Sequence, residues 1–165
     1  MKMLKQIYGS ISMAFKRLTE ILQSSSPRAD SIMIDKGGKL WIGRNVLAEM
    51  LIKRLADGSY ESCQYAQIYI DEDEMLVGIT FSERNTVKSI SKRNGDKKVS
   101  SLGDNGIYIP AGQIWTYFGI KGKELMASKK FTVQDHTVNK LKNMLIFPIG
   151  DYIEHVKRTR DTTEA

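Results

Sequence analysis

At 165 residues the chain suffices for one ordinary domain, or for two very small ones sharing a core, and its 41% hydrophobic content excludes wholesale disorder. Its single cysteine, Cys63, excludes an internal disulfide and a multi-cysteine zinc site. The net charge of +6 favours anionic partners such as nucleic acid.

Leu4, Tyr8, Ile11, Phe15, Leu18 and Leu22 recur at spacings of four and three, which predicts an amphipathic helix over residues 1–26. Three heptads in this register suit a coiled-coil seam, making a homodimer one expectation and docking on the chain's own body the other. Ser24-Ser25-Ser26-Pro27 ends the helix. Lys2, Lys5, Lys16 and Arg17 interrupt its apolar run, so neither a signal peptide nor a membrane span is expected, and a cytoplasmic protein is the default.

Residues 31–83 form the next unit. Ser31–Ile34 reads as a strand, Asp35-Lys36-Gly37-Gly38-Lys39 as a turn, and Leu40-Trp41-Ile42 as the return strand. Asn45 is the expected N-cap of a short helix over Val46–Ile52. A longer connection from Lys53 to Gln64 leads to a second hairpin, Ala66–Ile70 and Met75–Phe81, around the acidic turn Asp71-Glu72-Asp73-Glu74. This unit holds five Lys/Arg against nine Asp/Glu, whereas residues 84–100 hold six against one. Residues 84–98 therefore read as a basic linker or flexible loop.

Residues 99–150 repeat the order of elements. Ile107-Tyr108-Ile109 is a strand ended by Pro110, and Gln113–Phe118 is a helical turn closing at Gly119-Ile120. Lys130–Val133 and Met144–Phe147 follow, joined by a long connection. The tail from Asp151 to Ala165 is charged and expected to fray. Laid over each other, Gly38–Gly43 and Asn105–Pro110 run in register, with Trp41 facing Tyr108, Leu47 facing Ile114 and Leu51 facing Phe118. The expected fold is mainly β with short helices (α+β). Two degenerate copies of one unit share a core, preceded by the N-terminal helix.

At Asp35-Lys36-Gly37-Gly38-Lys39-Leu40-Trp41-Ile42, at Gly106-Ile107-Tyr108-Ile109-Pro110 with Phe118-Gly119-Ile120, and at Ile68–Asp73, the chain resembles the AbrB-type swapped-hairpin family. Both copies lie on one chain, which is similar to the tandem arrangement of MraZ-like proteins. The resemblance implies two half-barrel units closing one small barrel, a DNA-binding regulatory role, and a DNA-facing opening hairpin carrying Lys36, Lys39 and Arg44. Gly43 departs from the family's proline, and Gly106 stands where the first copy has Lys39, so the second copy lacks that basic residue.

The cations expected to neutralise phosphates are Arg84, Lys88, Lys92, Arg93, Lys97 and Lys98, with Lys36, Lys39 and Arg44 as a second set. Flexible basic loops mostly contact the backbone and supply affinity without sequence choice. The acidic turn lacks the glycine and the terminal glutamate of a calcium loop and reads as a solvated turn. His136, His155 and Cys63 have no partners at catalytic or metal-ligand spacing, and no phosphate-cradling glycine loop occurs. The leading expectation is a DNA-binding regulatory protein that is not an enzyme and needs no cofactor, with duplex DNA as its partner and no membrane. Trp41, Tyr108, Trp115 and Tyr117 could stack on bases, and the core or an interface explains them equally well. The rival to the DNA-binding expectation is a protein-interaction module or inhibitor acting through the N-terminal helix and exposed aromatics.

Overall fold

The Asp35 carboxylate organises the first turn, accepting from the backbone N–H groups of Gly37 and Lys39, both at 2.9 Å. It also accepts from Trp41 Nε1 at 2.9 Å. The hairpin so closed pairs β1 (Ile32–Ile34) with β2 (Lys39–Ile42), placing Ile32, Ile34, Leu40 and Ile42 in the interior. The computed structural model describes residues 29–84, 96–127 and 129–164. The expected N-terminal helix over 1–26 lies outside the described residues.

Helix α1 (Arg44–Glu49) follows directly, with Gly43 and not Asn45 as its N-cap. Asn45 instead ties the helix to the incoming chain. Its Nδ2 donates to the Asp30 carboxylate, and its backbone N–H donates to the Ala29 carbonyl at 2.9 Å. The 53–64 connection is a compact excursion pinched by an Arg54–Tyr60 bridge. Then come β3 (Tyr65–Asp71) and β4 (Leu76–Ser82), paired along their whole length.

Lys97 and Lys98, expected in a flexible loop, form the edge strand β5 (Lys97–Lys98) against β3. Next are β6 (Ser100–Ser101), a 3-10 turn at Gly103–Asn105, β7 (Ile107–Pro110), α2 (Gly112–Tyr117) and α3 (Gly122–Ala127). The chain continues through β8 (Phe131–Val133), β9 (Thr137–Asn139), β10 (Met144–Pro148) and α4 (Gly150–Glu164). Among the described residues this makes a mixed α+β fold of two antiparallel five-stranded sheets, ordered β6-β7-β2-β1-β8 and β5-β3-β4-β10-β9. None of the described helices is long and apolar enough to cross a membrane.

One hydrophobic cluster joins the sheets. Ile42, Ile107 and Ile109 meet Val77, Ile79, Leu145 and Phe147, all fully buried. The helix α4 corrects the expectation of a frayed tail. Ile149, Tyr152, Ile153 and Val156 recur at spacings of three, one and three, enough to bury one helical stripe despite the charged neighbours.

Hydrogen-bond registers recur between the halves. Trp41 pairs directly with Tyr108 where β2 meets β7. The offset that carries Trp41 onto Tyr108 also carries the pairs Met33–Trp41 and Ile34–Leu40 onto Ser100–Tyr108 and Ser101–Ile107. The correspondence slips by one residue after the strand. Leu51 donates to Ala48 and Ile52 to Leu47, just as Gly119 donates to Thr116 and Ile120 to Trp115. Leu47 therefore matches Trp115, and Leu51 matches Gly119, in place of the Ile114 and Phe118 of the sequence alignment.

Leu51 consequently holds a left-handed conformation (φ 60°) that the second copy gives to a glycine, and it is 86% exposed. Leu51→Gly is expected to raise stability by up to about 1 kcal/mol, because relief of backbone strain exceeds the entropy that glycine adds to the unfolded chain. Urea unfolding midpoints measure this, and a clear loss would show that the Leu51 side chain holds the body together.

Candidate nucleic-acid interface

The predicted cations divide between two ends of strand β2. Lys36 and Lys39 are exposed at the first hairpin turn, and Lys39 Nζ lies 4.8 Å from the centroid of the Tyr108 ring. That ring packs on Trp41 with centroids 5.4 Å apart. Arg44 stands past the other end of β2, roughly 10 Å of strand away. The opening-hairpin set is therefore not one cluster. Because β7 runs antiparallel to β2, the second hairpin turn lies at the Arg44 end.

There Arg44 meets partners that the sequence reading missed. Asp104, in the second turn, accepts from Arg54 Nη1, and Arg44 Nη1 lies 4.0 Å from the same carboxylate oxygen. The Tyr60 hydroxyl donates to the Gly103 carbonyl at 2.5 Å, and Ser101 Oγ donates to the Gly58 carbonyl at 2.5 Å. Burial pushes the Tyr60 phenol above its ordinary range, against the opposing pull of Arg54. The second turn is thus fastened to the 54–60 excursion. No local signal pointed to Arg54, since its partner lies fifty residues away.

Beside this contact is a cleft of about 340 Å³ whose walls include Ser59, Tyr60, Cys63, Gln64, Glu83 and Lys98. Lys98 pairs across from Tyr65, and so does Ser82 from the other side, so β5 and the end of β4 reach the same edge of the molecule. Arg84 is exposed and follows the cleft residue Glu83. Lys97 is half-buried next to Ala66, and desolvation lowers its pKa. Lys88, Lys92 and Arg93 lie outside the described residues. Arg44 and Arg54 thus meet at Asp104, Lys98 lines the neighbouring cleft and Arg84 follows its wall residue Glu83, while Lys36 and Lys39 stand at the other end of β2.

The remaining candidates have structural roles. Cys63 is buried, and desolvation pushes its thiol up to about 12, far from the range of a reactive thiolate. His136 Nε2 lies 3.1 Å from the Glu49 carboxylate, and His155 packs against the Phe131 ring. Trp115, considered for base stacking, is fully buried and donates from Nε1 to the Gly38 carbonyl at 2.8 Å. In the acidic turn, Asp71 accepts from the Glu74 N–H at 3.0 Å. No group of three or more His, Cys, Asp or Glu side chains that could hold a metal ion occurs among the described residues. No protein-family model, no curated protein and no solved structure matches the chain.

Proposed function

We propose that the chain is a cytoplasmic DNA-binding regulatory protein that contacts duplex DNA through hairpin and loop cations, built from two tandem swapped-hairpin-like half-barrel units. The recurring registers of β1–β2 and β6–β7 support the second part of this reading. The observation that carries the first part is the meeting of Arg44 and Arg54 at Asp104 beside a cleft lined by Lys98 and by Glu83, the neighbour of Arg84, in a body whose first unit is otherwise acidic. Phosphate neutralisation needs cations grouped on one surface, and these come from separated segments. Lys97, with Lys88, Lys92 and Arg93, supplies further phosphate contacts in this reading. Lys36 and Lys39 form a second contact.

Replacing Lys92, Arg93, Lys97 and Lys98 together with alanine tests the reading. The log–log salt slope of random-duplex binding is expected to become shallower by up to roughly four units, with all sequences weakened about equally. An unchanged slope and affinity would remove the basic segment from the site. A second reading, an interaction module gripping a protein partner, is favoured by the exposed Tyr117, Met126 and Leu141 and by the loss of the basic residue from the second turn, where Gly106 stands. It expects weak, salt-insensitive DNA binding and partner binding that depends on those apolar residues.

A further inference from the structure

We infer that Arg44 and Arg54 form a seat for one phosphate group and that Asp104 fills this seat in the unliganded protein. The inference rests on the proposed DNA contact and deepens it, because it adds Arg54 as a ligand-binding residue and Asp104 as its internal competitor. Two guanidinium groups converge on a single carboxylate oxygen. All three side chains remain open to solvent, at 52%, 44% and 67% exposure for Arg44, Arg54 and Asp104. A carboxylate and a phosphodiester offer the same charge sign and the same kind of oxygen acceptor, and arginine's planar fork fits either.

The surroundings hold the seat in place while leaving its occupant replaceable. The Tyr60–Gly103 and Ser101–Gly58 hydrogen bonds fix the backbone of the second turn to the 54–60 excursion. The Gly103 N–H also donates to Ser101 Oγ at 3.2 Å. Only the Asp104 side chain has to rotate away to admit a phosphate. An exposed ion pair contributes little, so its carboxylate is a weak competitor that tunes affinity without closing the site. The same contact orients both arginines before any ligand arrives, which lowers the ordering cost of binding.

Asp104→Asn tests the seat, with Asp73→Asn as a control that makes the same charge change in the β3–β4 turn, at the opposite end of the β3–β4 pair from Tyr65 and Ser82. Inorganic phosphate is the first probe, titrated against the full chain by NMR of the arginine Nε–H groups. Asp104→Asn is expected to tighten phosphate binding about fivefold, the ratio matching the upper strength of an exposed pair, while Asp73→Asn changes it less than twofold. Adding Arg54→Gln, or Arg44→Gln should that variant fold poorly, is expected to abolish the gain. Random duplex DNA is the second probe, for which Asp104→Asn should tighten binding about fivefold and Asp73→Asn less than twofold. A phosphate gain in a chain that binds no duplex would uphold the seat and sink the DNA reading. Duplex binding tightened equally by the two asparagine substitutions would overturn the seat and leave the DNA reading standing.

Discussion

Gly106→Ala should cost about 4 kcal/mol of stability, enough to leave little folded protein at 37 °C if the body has ordinary marginal stability. Gly106 opens β7 at φ 104°, outside the range that residues with a Cβ readily adopt. A Cβ there would also lie 2.1 Å from the Ile42 carbonyl oxygen and 3.0 Å from the Arg44 nitrogen. Both atoms are backbone, so no flexible side chain can move aside. Relief would require the second hairpin to separate from the end of β2, where Ile42 pairs with Ile107. The second turn, with Asp104, would shift with it. Equilibrium urea unfolding gives the value, and a cost under about 1 kcal/mol would show that the two hairpins are not held in this close approach.

The second large effect concerns α4. Tyr152 is fully buried, with its ring centroid 4.7 Å from that of Trp115 and 5.5 Å from that of Phe131. Tyr152→Ala is expected to cost about 3–5 kcal/mol, because it removes an aromatic ring from a packed site and leaves a cavity. Tyr152→Phe separates packing from polarity. The hydroxyl is buried and has no hydrogen-bond partner among the described residues, so its removal is expected to leave stability unchanged or raise it by about 1 kcal/mol.

The pH dependence of Tyr152 follows from the same burial. Desolvation first, and the Asp35 charge second, hold the phenol above its ordinary value of 10.0. A raised native pKa means that the folded state keeps its proton where the unfolded state loses it. The contribution is therefore fully present below pH 10 and declines as pH rises from there toward the native value. Tyr152→Phe should flatten that alkaline limb in thermal melts taken between pH 9 and 11, leaving the smaller part due to Tyr60. A frayed tail would make both substitutions silent.

These contrasts show where sequence carries structure and where it does not. The first hairpin was legible because its determinants are local: Asp35 reaches its own turn, and the apolar residues alternate on either side. Helix α4 was missed because its apolar stripe is short and set among charges, and a partner surface of Trp115 and Phe131 decides its stability. The two-residue strand β5 is too short to show any period, so Lys97 and Lys98 read as loop. Gly106 read as a missing basic residue, whereas the packing of Ile42 and Arg44 against it gives a steric reason for glycine. The division of Lys36 and Lys39 from Arg44, and the recruitment of Arg54, follow from strand direction and from a contact across the chain, neither of which adjacency in sequence reveals.

The salt dependence of random-duplex binding by the full chain tests the central claim most directly. Fluorescence anisotropy at several monovalent salt concentrations, with no substitution made, gives the number of phosphates neutralised. If Arg44 and Arg54 together meet one phosphate and Arg84 and Lys98 meet one each, the log–log slope should be roughly −2.7 or steeper, with micromolar or tighter binding at low salt. A slope near zero, or no binding to duplex at low salt, would contradict the claim.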